Sequence, residues 1–338
     1  MTLKLTNMKN LFIFLSLFCI TIASHAQLPE PYKKVDQIIW LVDDVEQVTQ
    51  GWKNFGFQSI SSIQEVRFEE NQYQGERQPF TAKVALGKLG DANISWIQPI
   101  EGNSYFKDYL LEHGAAAFSL THRFPTLEAY EQEIERLQNL GVGVVQQGKV
   151  HNGDGFVHYT FFDTYEKGDY VLGIMTGPEM HASIPSQAPF DGKFTQYAFA
   201  TNRPEEVSRF WESIGIPAMN ITHSPVWEKR YYGKEHDFDM KLGWQRHGSI
   251  VYEWCIPLQE PTVYSDHIEK RGAGIQHVGL NVPDIDEAIR HLATQGFAVA
   301  QSGGWGEKGK PGSGRFAYID TDRFGGLMVE LLWSYKDN

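Results

Sequence analysis

Glu253, His277 and Glu330 each interrupt an apolar run in the second half of the chain. They sit in Val251-Tyr252-Glu253-Trp254-Cys255, Ile275-Gln276-His277-Val278 and Met328-Val329-Glu330-Leu331-Leu332-Trp333. Ionisable side chains on inward-facing strand positions are costly to bury without a partner. One imidazole and two carboxylates would together suit a hard or borderline divalent ion, with positions left for water or substrate oxygens. Each residue also has a plainer reading. Either glutamate could belong to a buried ion pair, and His277 could be an ordinary core histidine.

These residues belong to the second copy of an internal repeat. At a shift of 159, Asp36-Gln37-Ile38-Ile39-Trp40-Leu41 falls on Thr195-Gln196-Tyr197-Ala198-Phe199-Ala200, and Val48, Trp52 and Gly56 meet Val207, Trp211 and Gly215. At 158, Trp96 and Pro99 meet Trp254 and Pro257, and at 157 Asp163-Thr164 and Gly168 meet Asp320-Thr321 and Gly325. A repeat of this length points to two copies of one domain rather than a solenoid. Where the second copy has Glu253, His277 and Glu330, the first has Ser95, Ser119 and Gly173.

A chain of 338 residues exceeds what one core usually supports. We expect a domain without metal ligands at 27–177, a turn-rich linker at 178–192 and a metal-bearing domain at 193–338. The net charge of −12, with no basic run to offset it, argues against nucleic acid or a membrane surface as partner. Lys4 and Lys9 precede the apolar run Leu11–Ile20, and Ser24-His25-Ala26 offers a small-x-small cleavage site, so residues 1–26 read as a signal peptide. The mature protein is then expected in the periplasm or secreted, off the membrane, as a monomer or homodimer acting on a small-molecule substrate. It would keep one cysteine, Cys255, read as a core residue.

Each half divides again into two modules of strand, amphipathic helix and three strands. In the last, Ile275–Val282 alternates as a strand, Pro283-Asp284 supplies the turn and cap, and Ala288, Ile289, Leu292 and Ala293 form an apolar helical face. Helices are expected at about 45–55, 127–140 and 204–214 in the other modules. The fold class is therefore α+β, built from tandem βαβββ modules. Two insertions stand out: Asn220–Asp239, with Trp227, Tyr231 and Tyr232, and the glycine-rich Gly303–Gly314, read as a mobile lid from which Lys310 could meet an anion. His223, His236, His247 and His267 are expected at the surface, with His223 and His236 nearest the cleft.

Paired βαβββ modules with a polar residue on the first strand and a glutamate on the last resemble the vicinal oxygen chelate superfamily over about 33–176 and 193–334. His277-Val278-Gly279-Leu280-Asn281-Val282, Gly325-Gly326-Leu327-Met328-Val329-Glu330-Leu331 and Gly309-Lys310-Pro311 look like its glyoxalase I and methylmalonyl-CoA epimerase branch. The resemblance implies two domains, each a half-open barrel, with metal in the cleft of one. It implies Gln196, Glu253, His277 and Glu330 as ligands of Zn²⁺, Ni²⁺, Co²⁺ or Mn²⁺. Gln196 alone could equally be a structural amide, since Gln37 stands at its place in the other copy.

The expected function is that of an exported, metal-dependent isomerase or lyase that abstracts a proton next to a carbonyl, with Glu330 as the base implied by glyoxalase-type members. An extradiol-type dioxygenase fits the two-domain layout but calls for two histidines and one glutamate. A non-catalytic small-molecule binder is the third reading. Coenzyme A thioesters and glutathione adducts are chiefly cytosolic, so export argues against carrying those substrates over.

Overall fold

The computed structural model describes residues 28–153, 155–248 and 250–336. The segment read as a signal peptide lies outside them. Four βαβββ units follow one another. Their first strands are Gln37–Leu41, Ala116–Arg123, Lys193–Ala200 and Gly274–Asn281, and their helices are Val45–Phe55, Leu127–Asn139, Pro204–Ser213 and Ile285–Thr294. Three helices start where a side-chain oxygen takes an orphan backbone N–H: Asp44 from Gln47 (2.8 Å), Thr126 from Ala129 (3.1 Å) and Asp284 from Glu287 (2.9 Å). The Pro204 helix starts instead with proline in its first turn, where the missing N–H costs nothing. Two further helices, Tyr105–His113 and Val263–Arg271, are not evident in the sequence pattern.

The two halves share one strand register. Ile39 stands opposite Ser95 in a parallel ladder and opposite Ser119 in an antiparallel one. Ala198 stands in the same way between Glu253 and His277. Gly173 pairs with Thr121 as Glu330 pairs with Gly279. The internal alignment is thus a structural equivalence at the positions that matter: the second half places two carboxylates and an imidazole where the first places two hydroxyls and a glycine. A bulge recurs as well, after Ile39 and after Ala198. In the second half the skipped residue is Gln276, next to His277.

Each barrel has its own interior cluster, one around Phe106, Phe118 and Phe161 and the other around Tyr264, Phe316 and Tyr318. A larger core, including Trp40, Trp52, Trp96, Trp211 and Trp254, runs through both halves. Helix tryptophans tie the halves reciprocally: Trp52 Nε1 donates to the Phe324 carbonyl (3.1 Å), and Trp211 Nε1 to that of Gly168 (3.0 Å). Gly325 has φ +99° and lies so close to Trp40 that a Cβ would come within 2.8 Å of the indole nitrogen, so glycine is required there.

Both insertions differ from expectation. Within Asn220–Asp239 run the strands Asn220–His223 and Val226–Tyr231, the latter paired antiparallel with Val299–Trp305. Gly304 pairs with Trp227 in that ladder and Gly303 with Phe316 in the next, and a Cβ on Gly304 would strike the Trp227 ring at 2.2 Å. The expected lid is therefore partly sheet, and the turn is confined to 306–313.

Candidate metal centre

Gln196, Glu253, His277 and Glu330 come from four strands of the second half and meet among them, all buried. His277 Nε2 lies 3.3 Å from Glu253 Oε2 and 3.4 Å from Glu330 Oε2. Gln196 Nε2 donates to the same two oxygens, at 2.6 and 3.0 Å. Gly279 makes this possible: a Cβ there would sit 2.7 Å from Gln196 Cγ.

Neighbouring strand residues normally face opposite sides of a sheet, but the bulge brings Gln276 Oε1 to 2.5 Å from His277 Nδ1. Nδ1 donates to that amide oxygen, so Nε2 is the nitrogen that faces the carboxylates: protonated it donates to them, and deprotonated it is the one left to a metal, the arrangement metal-ligating histidines use. The Tyr318 ring meets the imidazole edge to face at 4.8 Å and fixes its plane.

Burial alone would disfavour a charged imidazole, but hydrogen bonds and charge from Glu253 and Glu330 outweigh it and hold the His277 pKa up at about 9. Burial pushes the Glu253 carboxyl up, and the charge of Glu330 adds to this. Once deprotonated, two carboxylates and a neutral imidazole present a charge of −2 that a divalent cation balances, in place of the proton the imidazole otherwise holds. The spacing also suits one, since donors about 2.1 Å from a common ion lie about 3.0–3.4 Å apart for right-angle to tetrahedral geometry. The donor set therefore fits a divalent ion, with the Gln196 amide turned to present its oxygen.

Cys255 lies in the core, as read from the sequence, but the sequence reading missed that it borders the site, two residues from Glu253 on the same strand face. Ligand atoms of Glu253, Cys255 and His277 lie within 4.8 Å of one another. Burial, with the charges of Glu253 and Glu330, pushes the thiol well above its usual range.

A cavity of about 320 Å³ opens onto Gln196, Glu253 and Glu330, with Trp244, Trp305 and Phe316 on its walls. Among the described residues no Lys or Arg lines it. His223, His236, Trp227, Tyr231, Tyr232 and Lys310 do not line it either. His223 instead pairs with Asp239 at 2.9 Å, and Tyr231 donates to Asp266 at 2.7 Å.

His247 and His267, expected at the surface, are buried, and burial pushes both down to about 3. The folded state thus binds fewer protons than the unfolded chain, whose histidines titrate near 6.5. Their contribution to stability is full above about pH 6.5 and falls by about 1.4 kcal/mol per pH unit for each group below it. Thermal melts at pH 7 and pH 5 should show this loss, and the double substitution His247→Gln/His267→Gln should reduce it, leaving the share of His122, which burial pushes down to about 4.

Comparison with known proteins bears on the fold. Residues 195–318 match the family model of the Glyoxalase/Bleomycin resistance protein/Dioxygenase superfamily. No curated protein matches the chain in sequence. Among solved structures, a mutant of 4-hydroxymandelate synthase from Streptomyces coelicolor is similar at a TM-score of 0.58 and 12% identity, over 91% of this chain and 94% of that one. A xylose isomerase-like TIM barrel/4-hydroxyphenylpyruvate dioxygenase fusion protein is similar at 0.50 and 12%, over 92% of this chain and 51% of that one. At such identity the likeness is one of fold.

Proposed function

We propose that this chain, whose fold is that of tandem vicinal oxygen chelate domains and whose second half matches the glyoxalase and dioxygenase superfamily, is an exported metal-dependent isomerase or lyase. It would move a proton next to a carbonyl of a small hydroxy-carbonyl compound, as in the glyoxalase and epimerase branch. The observation that carries this reading is the second carboxylate. Glu253 Oε2 stands 3.3 Å from His277 Nε2, in a cluster that already holds Glu330.

When bound, a divalent ion supplies Lewis-acid stabilisation to the oxyanion that develops as the C–H bond breaks. Gln196, Glu253, His277 and Glu330 would hold it. Glu330 borders the cavity and is the proton acceptor in this reading. Gln276 keeps His277 in the ligating tautomer, and Trp244, Trp305 and Phe316 exclude water, which strengthens every charge interaction inside. The cavity fits a small substrate and offers no cation to a phosphate handle. The test is solvent deuterium exchange into a panel of hydroxy-carbonyl compounds with the Zn²⁺-, Ni²⁺-, Co²⁺- and Mn²⁺-loaded protein. Absence of exchange across the panel with every metal would count against proton abstraction.

The dioxygenase reading is favoured by one observation, the likeness in fold to 4-hydroxymandelate synthase along nearly the whole chain. Its usual donor set of two histidines and one carboxylate is not what the cluster presents, since His277 is its one imidazole. The iron-loaded protein should therefore consume no oxygen with catechol or with 4-hydroxyphenylpyruvate, as followed with an oxygen electrode. Stoichiometric uptake with a defined product would make this reading the correct one.

A further inference from the structure

The first half encloses a cavity of about 400 Å³ that includes Gln37 and Ser95, the equivalents of Gln196 and Glu253 in the second. We propose that it is a second binding site, for a neutral, mainly hydrocarbon molecule of substituted-ring size carrying one carbonyl or hydroxyl oxygen.

The chemistry of the walls sets this class. Among the described residues, no Asp, Glu, Lys or Arg lines the cavity. Its titratable neighbours are His151, exposed at the rim, and Tyr159, whose hydroxyl is committed to Asn71 Oδ1 at 3.0 Å. A charged guest would lose its hydration with nothing to replace it. Phe68, Phe106, Phe161, Met175 and Met180 supply faces for a ring, with soft sulfur contacts that adapt to its outline.

At the base, Ser95 Oγ donates to Gln37 Oε1 at 2.9 Å, which leaves the Gln37 amide N–H as the donor offered to a single oxygen of the guest. The site takes no metal in the manner of its counterpart. A Cβ on Gly173, the equivalent of Glu330, would lie 2.6 Å from Thr121 Oγ1 and 2.7 Å from Ser119 Oγ, so no carboxylate fits there. The volume suits a ligand: an apolar cavity of about 150 Å³ takes up benzene, and small-molecule pockets start near 300 Å³. Ser62, Gln64 and Asn152 edge its opening to solvent.

The test uses the full metal-loaded chain and the neutral fluorophore N-phenyl-1-naphthylamine. Saturable uptake of one equivalent is expected, displaced by acetophenone and not by benzoate at the same concentration. Leu86→Trp, which fills the cavity, and Ser62→Trp, which obstructs its rim without touching the core, should each weaken uptake at least about tenfold. Methyl-labelled methionine NMR on the unaltered protein locates the guest: Met175 and Met180 should shift on adding acetophenone, while Met240 beside the other cavity should not. Lack of saturable uptake, displacement by benzoate as readily as by acetophenone, or a shift confined to Met240 would overturn the proposal.

Discussion

His277→Ala should strip the protein of its metal and abolish proton exchange together. Among the described residues the imidazole is the one that brings a ligating nitrogen to Glu253 and Glu330, and Gln276 and Tyr318 hold it in place from behind. Its removal leaves two buried carboxylates facing each other across a gap, with Gln196 as their remaining donor. Loss of an outer partner of a ligating histidine already costs roughly 10–100-fold in metal affinity. Loss of the ligand itself should exceed about a hundredfold, measured as metal retained after dialysis against a chelator, with circular dichroism to confirm the fold.

Glu330→Gln should separate the two properties. The amide oxygen can still coordinate, so metal content should stay near one equivalent. The amide accepts no proton at neutral pH, so exchange should fall by about 10²–10⁴. Retention of full exchange would move the base elsewhere, and Glu253 would be next, since burial raises its pKa and it borders the same cavity.

The parts of this site visible in the sequence were those fixed by local pattern. Strands alternate and helices repeat at 3.6, so the module order and the Val45–Phe55 helix follow from apolar spacing. The self-alignment at shifts of 157 to 159 foreshadows the common register, because the two halves close their ladders at equivalent residues. The helices Tyr105–His113 and Val263–Arg271 carry only weak amphipathic faces, yet their closing glycines, Gly114 and Gly272, stand 158 residues apart, at the shift of the repeat.

Long-range geometry was harder to read. The pairing of Val226–Tyr231 with Val299–Trp305 joins residues about seventy apart, and glycines at 303 and 304 pointed to a loop rather than to the Trp227 ring packed over them. The burial of His247 and His267 depends on what packs over them. The bulge that turns Gln276 onto His277 leaves no mark in sequence. Cys255 was within reach, since a period of two from Glu253 puts it on the same face. The first-half cavity is a volume left between strands, and no residue type announces it.

X-ray absorption of the cobalt- or zinc-loaded full chain identifies the donors of the metal centre. One equivalent of metal is expected, with a shell of oxygen and nitrogen at about 2.0–2.2 Å and the outer scattering of one imidazole. A sulfur at about 2.3 Å would show that Cys255 binds in place of a carboxylate, and a shell with two or more imidazoles would place the ion elsewhere. Either result would contradict the assignment of Gln196, Glu253, His277 and Glu330 as the metal centre.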